Sequence, residues 1–277
     1  MSEKLEQEVA LHYGATGLLE RILSGLEAGG VDRADLKLED LAPVDEFHVG
    51  GRAATIHAVA PLNLTSDDHV LDIGCGIGGA SRYIAAQFGC SVTGIDLTPD
   101  YIETARALAE LTGLKDRVAY EVASATDLPF ESDSFDAAVT IHVAMNIPDR
   151  TKLYAETARV LKPGKLFCVY DVMGHDGDPF AYPVPWADTA ETSHLTSVEE
   201  MRDLLAAAGF TIEHEEDRHQ FALDFFRERI AAAKDGPPPL GLHIVMGEKA
   251  RPKFENILAN IENGTVSPVL MIARLGG

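Results

Sequence analysis

The stretch Leu71-Asp72-Ile73-Gly74-Cys75-Gly76-Ile77-Gly78-Gly79 decides the fold. The apolar run His69-Val70-Leu71-Asp72-Ile73 ends in a glycine cluster. Helical spacing then begins at Gly79 and stops at Gly89. That order predicts a strand, a tight loop and a helix. Glycines let the backbone turn sharply and approach a ligand closely, and the helix behind them presents its N-terminal amides to it. Gly74-x-Gly76-x-x-Gly79 also fits the dinucleotide fingerprint, a weak signal by itself. Asp72 separates the readings. A carboxylate two residues before the first glycine repels a pyrophosphate and attracts an ammonium group.

Working outward, Ser91-Val92-Thr93-Gly94-Ile95-Asp96 reads as a second strand. Asp96 stands about 20 residues past the glycines, where a carboxylate can accept two hydrogen bonds from a ribose diol. Together Asp72 and Asp96 suit a nucleoside carrying a positively charged amino-acid tail, which describes S-adenosylmethionine. Thr98-Pro99-Asp100 opens the next helix, with Thr98 as the expected N-cap and Pro99 at the first helical position. Further strands are predicted at Val118–Val122, Phe135–Ile141, Leu166–Asp171, Phe210–Glu215 and Val269–Leu275, with helices at about Arg150–Leu161 and Val198–Ala208. The alternation implies an α/β domain with a mostly parallel sheet covered on both faces.

Three stretches break the alternation. Residues 1–60 look helical and form a separate N-terminal lid in this reading, leaving 61–277 as the core. Insertions at about 173–195 and 217–267 interrupt that core. Loops this long in a compact domain are usually functional covers, and all three leave from sheet edges or strand ends, so one lid over the sheet's carboxyl side is expected.

Composition narrows the function. The chain has 277 residues, 46% of them hydrophobic and 24% charged, which are ordinary globular proportions. The net charge of −21 argues against a nucleic-acid partner, since a phosphate backbone needs a basic face. No apolar run is long enough to span a bilayer and no apolar leader is present, so a cytoplasmic enzyme is expected. Cys75, Cys90 and Cys168 are too scattered for a disulfide framework or a zinc site, and the histidines have no metal-ligand spacing, so no metal is expected.

Over about residues 45–215 the sequence resembles the class I S-adenosylmethionine-dependent methyltransferases. Asp72-x-Gly74-x-Gly76-x-Gly78 matches their glycine motif, and Gly94-Ile95-Asp96 matches their ribose motif. Leu128-Pro129-Phe130 with Ser134-Phe135-Asp136 matches the segment leading into the fourth strand. Arg159-Val160-Leu161-Lys162-Pro163-Gly164 matches the turn before the fifth. The resemblance implies a doubly wound, seven-stranded Rossmann-like sheet with an antiparallel last strand. It implies S-adenosylmethionine as cofactor, held by Asp72, Gly74, Gly76, Gly78, Asp96, Leu97, Ser124, Ala125 and His142. Many members have Gly-Asp-Ala where this chain has Ala123-Ser124-Ala125, so Ser124 replaces the usual acceptor of the adenine amino group. A second departure is Lys165, where many members have glycine. The His-x-Gly-Gly element at His48 and the Pro-Val-Pro-Trp-Ala insertion resemble the sarcosine/dimethylglycine methyltransferase-like subgroup. This makes a small amine the leading acceptor, with a thiol or the carbon or oxygen of a specialised metabolite as alternatives. A betaine-forming aromatic motif is absent.

A sulfonium methyl is already activated, so the protein chiefly aligns the reactants and excludes water. An acceptor that must lose a proton also needs a base, for which histidine is the natural residue near neutral pH. His142, just after the fourth strand, and His48, in the segment that folds over the cofactor in this family, are the candidate bases. Tyr13, Asn146, Tyr182, Trp186 and His243 are candidate acceptor contacts, and His12 accompanies Tyr13 in the lid. Trp186 and Tyr182 suit either lid packing or cation–π capture of a quaternary amine. Two other classes share the glycine spacing: a nicotinamide-dependent oxidoreductase, which Asp72 disfavours, and a non-catalytic cofactor-binding module. An N-terminal lid of this kind is compatible with a homodimer.

Overall fold

The computed structural model describes residues 17–175, 180–232 and 236–277. Three helices come first: α1 (Leu18–Ala28), α2 (Leu38–Asp45) and α3 (Gly51–Val59). The alternating core follows as β1 (His69–Ile73), α4 (Gly79–Phe88), β2 (Ser91–Asp96), α5 (Pro99–Leu111), β3 (Val118–Val122), β4 (Phe135–Ile141), α6 (Arg150–Val160), β5 (Leu161–Gly174), α7 (Val198–Ala207) and β6 (Phe210–Asp217). Then come α8 (His219–Ala232), α9 (His243–Met246), α10 (Ala250–Glu262) and β7 (Val266–Leu275).

The seven strands form one sheet in the order β3-β2-β1-β4-β5-β7-β6. β1 to β5 pair in parallel, and β7 runs antiparallel between β5 and β6. The order reverses beside β1, and the crevice at such a switch point is where open α/β sheets bind ligands. Val70, Leu71 and Ile73 of β1 are fully buried, as a strand covered on both faces requires.

The differences from expectation are local. Thr98 sits at the start of α5, but its side chain makes no capping bond; the carboxylate Oδ1 of Asp96 takes its amide instead, at 2.9 Å. β5 runs on to Gly174 and β7 starts at Val266, because the two pair from Leu166 with Arg274 through to Gly174 with Val266. The last insertion is itself helical over 219–232 and 250–262.

Two apolar clusters hold the N-terminal helices and the insertions. In one, Leu18, Ile22 and Leu26 of α1 and Leu41 and Val44 of α2 pack on Ile77, Tyr101 and Leu108, with Leu240, Ile244 and Val245 from the last insertion beside them. In the other, Val184, Trp186 and Ala187 meet Ala222, Leu223 and Phe226 of α8 and Ile257 and Ile261 of α10. The buried ion pair of Arg82 with Asp45, at 2.6 Å, ties α2 to α4. Gly79 allows this approach, since a Cβ there would come within 2.6 Å of Asp45.

Candidate active site

Two cavities meet beyond the carboxyl ends of β1 and β4. The glycine loop builds the floor of the first. The amides of Gly74 and Cys75 both donate to the carbonyl of Ile95, at 2.8 Å, and the Gly76 amide donates to Asp96 Oδ2 at 3.0 Å. The loop is thereby fastened to the end of β2. Gly74 has φ +73, and a Cβ there would strike Val143 at 2.4 Å. Gly76 has φ +54 and open space above it, so the backbone itself faces the cavity.

Asp72, Gly74, Gly76, Asp96, Leu97, Ala125, His142, Asn146 and His48 all line this cavity. Sequence reading therefore brings together most of its predicted cofactor residues. Gly78 does not line it. Gly78 carries a contact instead, with Tyr120 donating its hydroxyl to the Gly78 carbonyl at 3.2 Å. Ser124 is also not in the lining; its hydroxyl lies 3.0 Å from that of Thr126, while Ala123 and Ala125 on either side face the cavity.

The first cavity is strongly acidic. Glu46, Asp72 and Asp96 all line it, with Asp45 at its rim. Burial pushes the Asp72 carboxyl up to about 7, and the neighbouring charges of Glu46 and Asp96 push the same way, against a hydrogen bond from Ser81. Asp96 is also raised by burial, opposed by the amides and hydroxyl it accepts from. A cation entering this cavity would relieve both effects, since opposite charge favours the ionised carboxylate. The residues present thus fit a nucleoside with a cationic tail: paired acids, an open glycine backbone and apolar walls from Leu97 and Ala125.

The second cavity has different chemistry. Phe47, Val49, Met145, Val172, Pro185, Trp186, Phe225, Phe226, Leu242, Phe254 and Ile257 line it, together with His48 and His142. No Asp, Glu, Lys or Arg is among these lining residues. Phe47, His48 and His142 belong to both cavities, so the two histidines stand at the seam.

Their rings are stacked, with centroids 5.9 Å apart and planes 10° from parallel. The edge of Tyr170 closes on His142 at 4.8 Å. His142 adopts φ +55, left-handed for a non-glycine residue, and its amide donates to the Tyr170 carbonyl at 2.7 Å. That conformation is sterically costly and turns the chain abruptly at the end of β4. Both ring nitrogens of His142 are buried with no partner among the described residues. Burial drives the His142 imidazole well below its ordinary value, and His48 adds to the effect, so the ring is neutral. His48 is also lowered, chiefly by burial, with Glu46 opposing.

The other predicted acceptor contacts divide. Trp186 lines the second cavity and donates its indole N–H to Ser193 Oγ at 2.9 Å. Asn146 spends its amide on the carbonyls of Trp186 and Thr192, so it fixes the aromatic insertion. Tyr182 packs on Phe180 with ring centroids 4.8 Å apart and lines neither cavity, nor does His243. His12 and Tyr13 lie outside the described residues. Glu46, Phe47 and the phenylalanines of α8 and α10 were not anticipated. Glu46 is one acid among 44, though its place two residues before His48 is a signal in hindsight. Among the described residues no group of three or more His, Cys, Asp or Glu side chains is placed to hold a metal. Among the described residues no helix is long and apolar enough to cross a membrane.

Comparison with known proteins agrees with this geometry. A family profile described as a methyltransferase domain matches residues 71–169. The chain is 33% identical to methyltransferase GfsG of Streptomyces halstedii over 134 residues, covering 48% of each protein. It is 30% identical to the O-methyltransferase resE of Aspergillus sclerotiorum over 205 residues, covering 73% of this chain and 75% of the relative. The chain therefore spans about half the length of the first relative and three quarters of the second. In fold it is similar to a geranyl diphosphate C-methyltransferase of Streptomyces coelicolor A3(2), with a TM-score of 0.73, 18% identity and coverage of 99% and 98%. The fold and the glycine-loop cleft define an S-adenosylmethionine-dependent methyltransferase. The chain belongs to this family, in its class I form.

Proposed function

We propose that this methyltransferase acts on a hydroxyl oxygen or an acidic carbon of a small, uncharged, apolar molecule held in the second cavity. The observation that carries this reading is the lining of that cavity: aromatic and aliphatic side chains, no Asp, Glu, Lys or Arg among the described residues, and two histidines at its junction with the acidic cleft. An isolated buried charge is costly unless paired. The carboxylate of sarcosine or dimethylglycine would enter this cavity without a cation. A phosphorylated acceptor would meet the same absence. The surroundings therefore favour a neutral acceptor over the small amine suggested by the subgroup resemblance.

S-adenosylmethionine, when bound, supplies a sulfonium methyl open to in-line displacement. The chain's own residues do the rest. Asp72 accepts from the ammonium end, Asp96 from the ribose hydroxyls, and Leu97 and Ala125 flank the base. His48, at the seam, takes the proton that the acceptor must lose. Residues 17–60, with the insertions after β5 and β6, act as the cover that keeps water from the seam. Alignment of this kind is worth roughly 7–11 kcal/mol in favourable cases.

The test is release of S-adenosylhomocysteine across a panel of acceptors: neutral phenols and aliphatic alcohols, β-dicarbonyl carbon acids, neutral thiols, and sarcosine with dimethylglycine. Turnover is expected with neutral oxygen or carbon acceptors. Turnover confined to the amino acids would overturn the reading, and turnover confined to thiols would move the nucleophile to sulfur.

A further inference from the structure

We propose that Glu46 and Thr55 are positioning residues that hold the proton of His48 on Nε2, leaving Nδ1 as the basic atom offered to the acceptor. This rests on His48 being the base in the function proposed above. The hydrogen bonds around the ring carry it. His48 Nε2 lies 3.1 Å from the carbonyl of Gly51, 3.0 Å from Thr55 Oγ1 and 3.6 Å from Glu46 Oε2. A carbonyl oxygen only accepts, so this contact favours the hydrogen on Nε2, and the acceptors that Thr55 and Glu46 supply on the same side reinforce it. The Thr55 hydroxyl donates to Glu46 Oε2 at 2.7 Å, which turns its lone pair toward His48. Three acceptors therefore surround Nε2, and the hydrogen bond made by one ring nitrogen fixes the state of the other. The contacts of the ring to Gly51, Thr55 and Glu46 all fall on Nε2, and the ring borders both cavities.

His142 has no such arrangement. Neither of its nitrogens has a partner among the described residues, and no acidic side chain is bonded to it. A proton taken up there would be buried beside His48 without an anion. Its place at the seam makes it a wall, with the ring stacked on that of His48.

The step balances. The acceptor's O–H or C–H bond breaks and its proton passes to His48 Nδ1. The electron pair left behind forms the bond to the methyl carbon, while the bond from that carbon to sulfur breaks and its electrons remain on sulfur. The Glu46 carboxylate stabilises the imidazolium, which returns its proton to water after product leaves. The groups facing His48 are Glu46 from its own segment, Arg52 and Thr55 of α3, His142 at the end of β4 and Tyr170 of β5. The Tyr170 hydroxyl donates to the Val49 carbonyl at 3.1 Å, so it is engaged elsewhere. Glu46 favours the charged ring and Arg52 opposes it.

The experiment reads the tautomer directly, by nitrogen-15 NMR of the histidine side chains in the full chain, assigned with His48→Gln. The expected result is an Nε2–H ring in the wild type and a mixed or reversed tautomer in both Glu46→Gln and Thr55→Val. Thr55→Val leaves the contact of Glu46 with Arg52 in place, so it answers for any misfolding of Glu46→Gln. An Nδ1–H ring in the wild type overturns the proposal, as does an Nε2–H ring unchanged in Thr55→Val. Kinetics give the second readout, on whichever acceptor the panel identifies. Glu46→Gln should lower kcat about 10–100-fold with KM little changed and move the acid limb of the kcat/KM profile to lower pH. Arg52→Gln should move that limb to higher pH. Movement of both limbs in the same direction overturns the proposal. Failure of neutral acceptors in the wild type would overturn the acceptor class and leave the tautomer result standing.

Discussion

The two cavities that meet at His48 and His142 are assembled in opposite ways. The acidic cleft has one strand–loop–helix unit and the end of the neighbouring strand as its floor, with residues from 44–48 and 141–147 around it. The apolar cavity comes from separated segments: residues 47–49, 185–186, the phenylalanines of α8 and residues from 242 to 257. In the first, backbone geometry does most of the positioning, since the Gly74 and Cys75 amides bond the Ile95 carbonyl and the Gly76 amide donates to the Asp96 carboxylate at the tip of β2. In the second, side-chain packing between covering segments makes the shape. A cleft of the first kind suits a constant ligand. A cavity of the second kind can change its lining without disturbing the sheet, as function grafted onto a shared fold requires.

The sharpest way to break this comparison is at Asp96. Asp96→Ala removes the expected acceptor for the ribose and also frees the Gly76 and Thr98 amides. Hydrogen bonds to charged groups contribute about 1.5–3 kcal/mol each, so cofactor affinity should fall about a hundredfold or more by calorimetry. Unchanged affinity would remove Asp96 from the cofactor site.

That the first cavity was legible and the second was not follows from the same contrast. Gly74, Gly76 and Asp96 line the cleft from loop and strand-end positions, which local sequence specifies. The sheet was equally legible, because buried parallel strands read as apolar runs between helices. Phe225, Phe226 and Phe254 sit on helices whose spacing says only that an apolar face exists, and not what it faces. Ser124 and Gly78 fell just outside the cavity for a related reason: motif position fixes the segment, while the side chain's direction depends on neighbours such as Thr126 and Tyr120. His48 was legible as a candidate, but its orienting group, Glu46, was hidden among the many acids.

Asp72 gives the next largest effect. Its folded, ligand-free carboxyl titrates at about 7. A cationic ligand prefers the ionised form, so affinity should be full above about pH 7. It should then fall by up to about tenfold per unit below that, as the proton has to be displaced. Asp72→Asn should lower affinity by about ten- to fiftyfold at pH 8 and flatten the dependence. A wild-type affinity that is constant from pH 6 to pH 8 would contradict Asp72 as the ammonium acceptor.

Phe254→Ala sharpens the comparison from the other side. Phe254 is half-buried against Phe226 and lines only the apolar cavity. Its loss should raise the acceptor's KM about tenfold, equivalent to about 1.4 kcal/mol of lost apolar contact, and leave cofactor affinity unchanged. Equal weakening of both ligands would show that the cavities are not separate sites. The smallest effect is expected at His142: without a proton partner, His142→Ala should lower kcat only several-fold and spare cofactor affinity. A loss as deep as that of His48→Ala would return the base role to His142.

Trp186 is the chain's only tryptophan and it faces the apolar cavity alone, which makes its emission a reporter of that cavity. The most direct test of the two-cavity account is a titration of the S-adenosylhomocysteine-saturated protein, following tryptophan emission, with 4-tert-butylphenol and, separately, with sarcosine. The account predicts a saturable change with the neutral phenol and none with sarcosine at the same concentrations. A saturable response to sarcosine with none to the phenol would contradict it.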